Sequence, residues 1–440
     1  MPASLSPFAV RLRALLKERG LSYRTLATRT YYSKSYLHDI ACGRKAPSPE
    51  VAQRLDGALG AGGALVAVAA ISGPDEQCPT VVSGSFWQRS DIERLADLLV
   101  TETPTSENAV ELAHQWLIAD PPQRLELEAG RRVGDSTVER VRRRVLQLRR
   151  LDDHLGGSET YTLVTDELAE TLALLRESSH SESVGRDLLV VIADLCQLAG
   201  FVAEDSGRMA EARRYHLAGM RAAHAGGDTA CAANCLSSLS YLEANVGDQH
   251  AAVTLARSAH AGGRHAAEAT GRALFLERVA WAYARVGEVG LAERALGSVE
   301  DIYPEHGPVQ APSWAYWLTR DEVEIMAGRV WTELGRPLRA VPILERVIVR
   351  YGDDSPRETA LYTTWLAKAL LQAGEAEQAA ITAGRALSFA LRARSQRAAE
   401  RVADLREALV SVAGGSRAVD EFLELSAHLS ATAGGQPGGQ

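Results

Sequence analysis

Five glycines set a period in the second half of the chain: Gly207, Gly247, Gly287, Gly335 and Gly374, spaced by 40, 40, 48 and 39 residues. Five residues after each comes an alanine (Ala212, Ala252, Ala292, Ala340, Ala379). Seven residues before each stands a small residue (Gly200, Ser240, Ala280, Gly328, Ala367). Self-similarity at such a period means stacked supersecondary units rather than one enlarged core. A glycine between two apolar helical stretches makes the turn, and small residues on either side of it let two antiparallel helices pack closely. The chain is therefore constrained to an all-α array of helix pairs from about Gly185 onward. The longest interval contains Tyr303-Pro304 through Ala311-Pro312, which reads as an inserted loop.

This pattern of turn glycine, following alanine and preceding small residue resembles the tetratricopeptide repeat. HEAT-like helix pairs are the alternative scaffold, because their period is nearer 40 residues. The tetratricopeptide resemblance implies a concave surface built mainly from the first helix of each pair. Projecting the family's inward positions gives Gln197 and Phe201 in the first repeat, then Asn234, Ser237, Tyr241 and Asn245 in the second. It gives Glu277, Trp281 and Arg285 in the third, Arg329 in the fourth and Lys368 in the fifth. Asn side chains can hold an extended peptide's backbone, Arg and Lys a carboxylate, and Tyr or Trp an apolar group. Phe201, Tyr241 and Trp281 read equally well as packing between repeats.

The first sixty residues have a different grammar. Phe8, Leu12, Leu15 and Leu16 recur at helical spacing until Gly20 stops the helix. Ser22 can cap a second helix carrying Leu26 and Ala27, and Ser33 a third carrying Leu37, Ile40 and Ala41. Pro47 and Pro49 introduce a fourth, with Val51, Leu55 and Leu59 as its buried stripe. Ten Lys/Arg stand against four acids here, a net +6, so the remaining chain carries −14 of the overall −8. A basic head on an acidic body fits a head that meets phosphate.

The stretch GLSYRTLATRTYYSKSYLHDIACGRKAPSPEVAQRLDGALG resembles the Xre-like, phage-repressor type of helix-turn-helix domain. The resemblance covers about sixty residues, and two features depart from it: the bulky Tyr31-Tyr32 pair, which would widen the turn, and Ala41-Cys42 before the glycine. It implies a recognition helix from Ser33 to Cys42 in the major groove of double-stranded operator DNA. Lys34, Ser35 and His38 would face base edges with Tyr36 beside them. Tyr23 and Arg24 would touch the backbone, and Arg44 and Lys45 would contact phosphate.

Between these parts, Ser72-Gly73-Pro74 through Ser83-Gly84-Ser85 reads as a linker. The division expected is a helix-turn-helix domain over 1–71, a linker over 72–90, a helical connecting region over 91–180, repeats over 181–430 and a flexible tail over 431–440. Within the connecting region, a helix over Val138–Leu151 crowds Arg140, Arg142, Arg143, Arg144, Arg149 and Arg150 on one side. That reads as a solvated face paired with acids such as Asp152 and Asp153, ahead of a second phosphate-contacting surface.

No stretch reads as a secretory signal or spans a bilayer. Five scattered cysteines without a CxxC pair suggest reduced thiols in a cytoplasm. Cys231 and Cys235, one helical turn apart, read as buried thiols rather than zinc ligands. No phosphate loop, HExxH or GxSxG is present, so neither a catalytic residue nor a cofactor is expected. The reading is thus an all-α regulator that binds operator DNA as a homodimer, its repeats sensing a peptide or small-molecule effector. The layout resembles peptide-responsive quorum-sensing regulators of Gram-positive bacteria and similar actinobacterial regulators. The alternative is a protein-interaction adaptor that uses the groove and has a non-functional helix-turn-helix domain.

Overall fold

The computed structural model of the chain describes residues 7–30, 32–42, 45, 47, 49–66, 86–87, 89–100, 105–118, 124–125, 133–155, 157–303, 311–352, 355–393, 396–412 and 416–427. It divides into two compact units, residues 1–79 and 80–440. The division falls within the 72–90 stretch read as a linker, of which only 86–87, 89 and 90 are described. The 431–440 tail lies outside the described residues.

Among the described residues, the first unit includes helices α1 (Pro7–Glu18), α2 (Tyr23–Thr30), α3 (Lys34–Ala41) and α4 (Pro49–Leu59). Their apolar stripes meet in one core of Phe8, Leu12, Leu15, Leu16, Leu26, Leu37, Ile40, Val51, Leu55, Leu59 and Leu65. Each helix start follows from its sequence. Ser22 Oγ accepts from the Thr25 amide at 3.1 Å, and Ser33 Oγ from the Tyr36 amide at 3.2 Å. Gly20, at φ +62°, ends α1. The α2–α3 connection is three residues long, and Tyr31 within it lies outside the described residues. Tyr32 turns its ring onto Tyr36, with centroids 5.5 Å apart.

The second unit is almost wholly helical. Helices α5 (Arg89–Val100) and α6 (Ser106–Ile118) come first, and two-residue strands, Phe86–Trp87 and Arg124–Leu125, pair in parallel. A long antiparallel pair follows, α7 (Asp135–Leu155) and α8 (Gly157–Glu177). Five more pairs then alternate as the period requires: α9 (Glu182–Asp205) with α10 (Met209–Gly226), and α11 (Thr229–Val246) with α12 (Gln249–Gly263). Next are α13 (Ala269–Arg285) with α14 (Val289–Ile302), α15 (Arg320–Glu333) with α16 (Pro337–Tyr351), and α17 (Pro356–Gln372) with α18 (Ala376–Arg392). Helices α19 (Gln396–Val410) and α20 (Arg417–Leu425) close the stack. Each first helix packs on its own partner and beside the first helix of the next pair, and α7 and α8 pack on α9 in the same way. Among the described residues no helix is long and apolar enough to cross a membrane.

The periodic small residues are the packing points. Ala212, Ala252, Ala292, Ala340 and Ala379 are fully buried, and Ser240, Ala280 and Ala367 nearly or fully so. A Cβ at Gly200 would enter the His216 ring, and one at Gly328 would press on Leu344. Four turn glycines adopt positive φ. Gly247 does not; there the buried Glu243 carboxylate lies where a Cβ would stand, accepting from the Asp248 amide and from Ser106. Three of the arginines of α7 form ion pairs, though not with Asp152 or Asp153. Arg142 meets Glu139 and Asp187, Arg144 meets Glu167, and Arg149 meets Asp194.

The stack also curls back on itself. Arg357 of α17 and Arg397 of α19 both pair with Asp205 at the end of α9. Tyr316, in the segment after the inserted loop, donates to Asp153 of α7 at 2.5 Å. These contacts bridge the concave side.

Candidate DNA-binding face and enclosed cavity

The capped helix α3 presents Lys34 and His38 outward, both exposed, with the His38 ring set edge-on to Tyr23 at 5.8 Å. Tyr36 is half-buried between Tyr32 and Lys45, whose Nζ lies 5.5 Å from the ring centre. Ser33 spends its hydroxyl on the cap, so its contribution is to fix where α3 begins. Arg24 is exposed at the first turn of α2. A cleft between α1, α2 and the start of α3 is lined by Arg13, Lys17, Arg24 and Lys34, with no acid among the described residues of its wall. Arg13 and Lys17 were not singled out from sequence, because they lie on the polar side of a helix whose apolar stripe gave the signal. Arg44 and the side chain of Ser35 lie outside the described residues.

A family model described as a helix-turn-helix domain matches residues 7–69. This segment is a helix-turn-helix domain. No curated protein matches the chain. The domain supplies what DNA binding needs, a short capped helix with a cationic first turn and a basic wall beside it.

In the second unit, the concave side holds two adjoining, partly open chambers of about 250 and 740 Å³. The residues projected from the repeat frame divide between them. Gln197, Phe201, Asn234 and Ser237 line the smaller chamber, and Asn245, Trp281, Arg285 and Lys368 the larger. Tyr241 and Arg329 line both, at the waist where the chambers meet. Glu277 lines neither: it is 1% exposed, behind the wall, and neither carboxyl oxygen has a hydrogen-bond partner among the described residues. Burial pushes its acid up to about 8, outweighing Arg278 and Arg329, so it is mostly protonated at neutral pH.

Several projected side chains are already engaged. Gln197 accepts from Arg149 at 2.7 Å and donates to Ser238 at 3.1 Å. Asn245 accepts from the Trp281 indole at 3.1 Å. Arg285 and Lys368 both pair with Glu333. The waist holds most of what sequence reasoning missed. Arg278 stacks its guanidinium 4.1 Å from the centre of the Tyr241 ring, and Arg401 stands 3.9 Å from that of Trp365. Arg329 donates to the Tyr241 hydroxyl at 2.6 Å and lies within 6 Å of the Tyr241, Trp281 and Trp365 ring centres. Arg397 reaches the same hydroxyl at 3.4 Å. Burial raises the Tyr241 phenol, but Arg329, Arg397 and Arg278 outweigh it and bring it down to about 7. Burial, with Arg329 and Arg397 beside it, takes Arg401 down to about 9.

Two signals for these residues were present in the sequence. Arg397 and Arg401 are one helical turn apart on α19, and Arg278 directly follows a projected groove position. The segment after the inserted loop adds Trp314 and Trp317 to the smaller chamber, Trp314 stacking on Phe275 at 5.9 Å.

Proposed function

We propose that the chain is a sequence-specific transcriptional regulator of the Xre-like type, binding operator DNA through α3 while its repeat body receives an effector. The observation that carries this reading is the cationic face of the helix-turn-helix domain, where Lys34, Arg24, Arg13 and Lys17 line one cleft beside the recognition helix. Lys34, Ser35 and His38 read base edges, while Arg24, Arg44 and Lys45 hold phosphates. One such helix reads only a few base pairs, so the regulator acts as a dimer on two half-sites about one helical turn apart.

The repeats are of the tetratricopeptide kind, as the turn glycines and buried alanines argue, and they act as a binding body rather than as an enzyme. The contacts that bridge the concave side favour a compact effector over an extended peptide.

The test is fluorescence anisotropy of the full chain on mixed-sequence duplex across a salt series. Arg24→Ala and Lys45→Ala should each weaken binding on every sequence and flatten the plot of log K against log salt by about 1. Unchanged slopes in both variants, or no binding by the parent chain at low salt, would overturn the reading.

A further inference from the structure

We infer that the waist between the two chambers binds a small organic oxyanion, a carboxylate or phosphate monoester carried on a flat apolar body. This rests on the reading of the repeat body as a sensor and names the chemistry it senses. Four guanidinium groups, of Arg278, Arg329, Arg397 and Arg401, converge around Tyr241 and Trp365. Arg397 is matched by Asp205, which it shares with Arg357. Among the described residues no carboxylate forms an ion pair with Arg278, Arg329 or Arg401.

Three acids stand close by, the first of them the Tyr241 phenol at about 7. Burial raises Glu204 to about 7, and Glu322 is engaged by the hydroxyls of Tyr351 and Tyr362. The waist thus gathers three guanidinium groups that have no ion-pair partner among the described residues, an arrangement that an anion would complete. Guanidinium groups favour carboxylate and phosphate, whose planar or multiple oxygens match their fork of donors.

The smaller chamber indicates the rest of the ligand. Beyond the waist it is walled by Phe201, Leu274, Met326, Trp314 and Trp317. Asn234 Nδ2 and Ser237 Oγ, on residues of the same wall, have no hydrogen-bond partner among the described residues. An anionic head at the waist with an apolar ring in this chamber uses both surfaces. The clasp of Arg357 and Arg397 on Asp205 limits the length that fits.

A matched set of probes isolates the charge: 2-naphthoate, 2-naphthyl phosphate and the neutral 2-naphthamide, each titrated calorimetrically into the full chain. At least one of the two anions should bind tenfold or more tightly than the amide and raise the Tm. Preference for naphthoate or for naphthyl phosphate tells which oxyanion is meant. Arg401→Gln should bring the anion-to-amide ratio close to one, and Arg401→Lys should retain it. Should Arg401→Gln not fold, Arg278→Gln tests the same ratio from the other side of Tyr241. Equal binding of amide and anions, or no binding of any probe, would overturn the inference. Duplex binding measured on the same samples separates the two claims. DNA binding without anion preference sinks only the oxyanion site, whereas anion preference without DNA binding sinks the regulator reading and leaves the site standing.

Discussion

Tyr241 shows how far a single residue's chemistry depends on what the chain brings around it. Its position seven residues after Asn234 placed it on the inward face by repeat frame alone, but its environment comes from three other helices. Arg278, Arg329 and Arg397 hold its phenol at about 7, against 10.0 for the ordinary group, although burial acts the other way. The sign of the consequence is fixed. A folded-state acid with a lowered pKa adds stability that is fully present above pH 10, builds up as pH rises from 7, and is lost as pH falls through 7. The parent protein should therefore gain stability over Tyr241→Phe between pH 7 and 10, measured by urea unfolding in matched buffers. One tyrosine should also ionise near pH 7 in absorbance at 295 nm. A stability gap that does not change with pH, with no such ionisation, would show that the arginines do not act on this phenol.

At the scale of elements, the sequence was most legible where one residue type answers one geometric demand. Ser22 and Ser33 cap α2 and α3 as their side-chain chemistry requires, and the turn glycines sit between the two helices of each pair. The small residues seven before each turn are the points of closest helix approach, and Gly200 against His216 is the tightest of them. Gly200→Ala should cost roughly 2 kcal/mol, the usual scale for overpacking a filled site. His216→Ala in the same chain should recover most of that loss, and the double-mutant cycle by chemical denaturation measures it. A Gly200→Ala variant as stable as the parent would mean that α9 and α10 can part without cost. Side-chain pairing was less legible than packing. Three of the arginines of α7 find partners on α8 and α9 rather than the adjacent Asp152 and Asp153, because partners across a helix interface depend on how the helices are laid together.

At the scale of the whole molecule, periodicity gave the order of the helix pairs but not the curvature of the stack. Repeat spacing specifies which helices are neighbours. The return of α17 and α19 to the end of α9 is a sum of small rotations that no local pattern records. The groove expected from the repeat frame is consequently bridged and divided into two chambers, and Arg397 and Arg401 reach it from beyond the last glycine-marked pair. The basic head, by contrast, was legible at every level: composition, caps, the helical core and the exposed cations agree. The central claim is that this head reads DNA sequence. It is tested most directly by capturing genomic fragments with the purified full chain at near-physiological salt, beside a Lys34→Ala/Ser35→Ala/His38→Ala variant of equal stability. The account predicts a short two-fold motif enriched by the parent protein and lost in the variant. The same motif recovered by both proteins would contradict it.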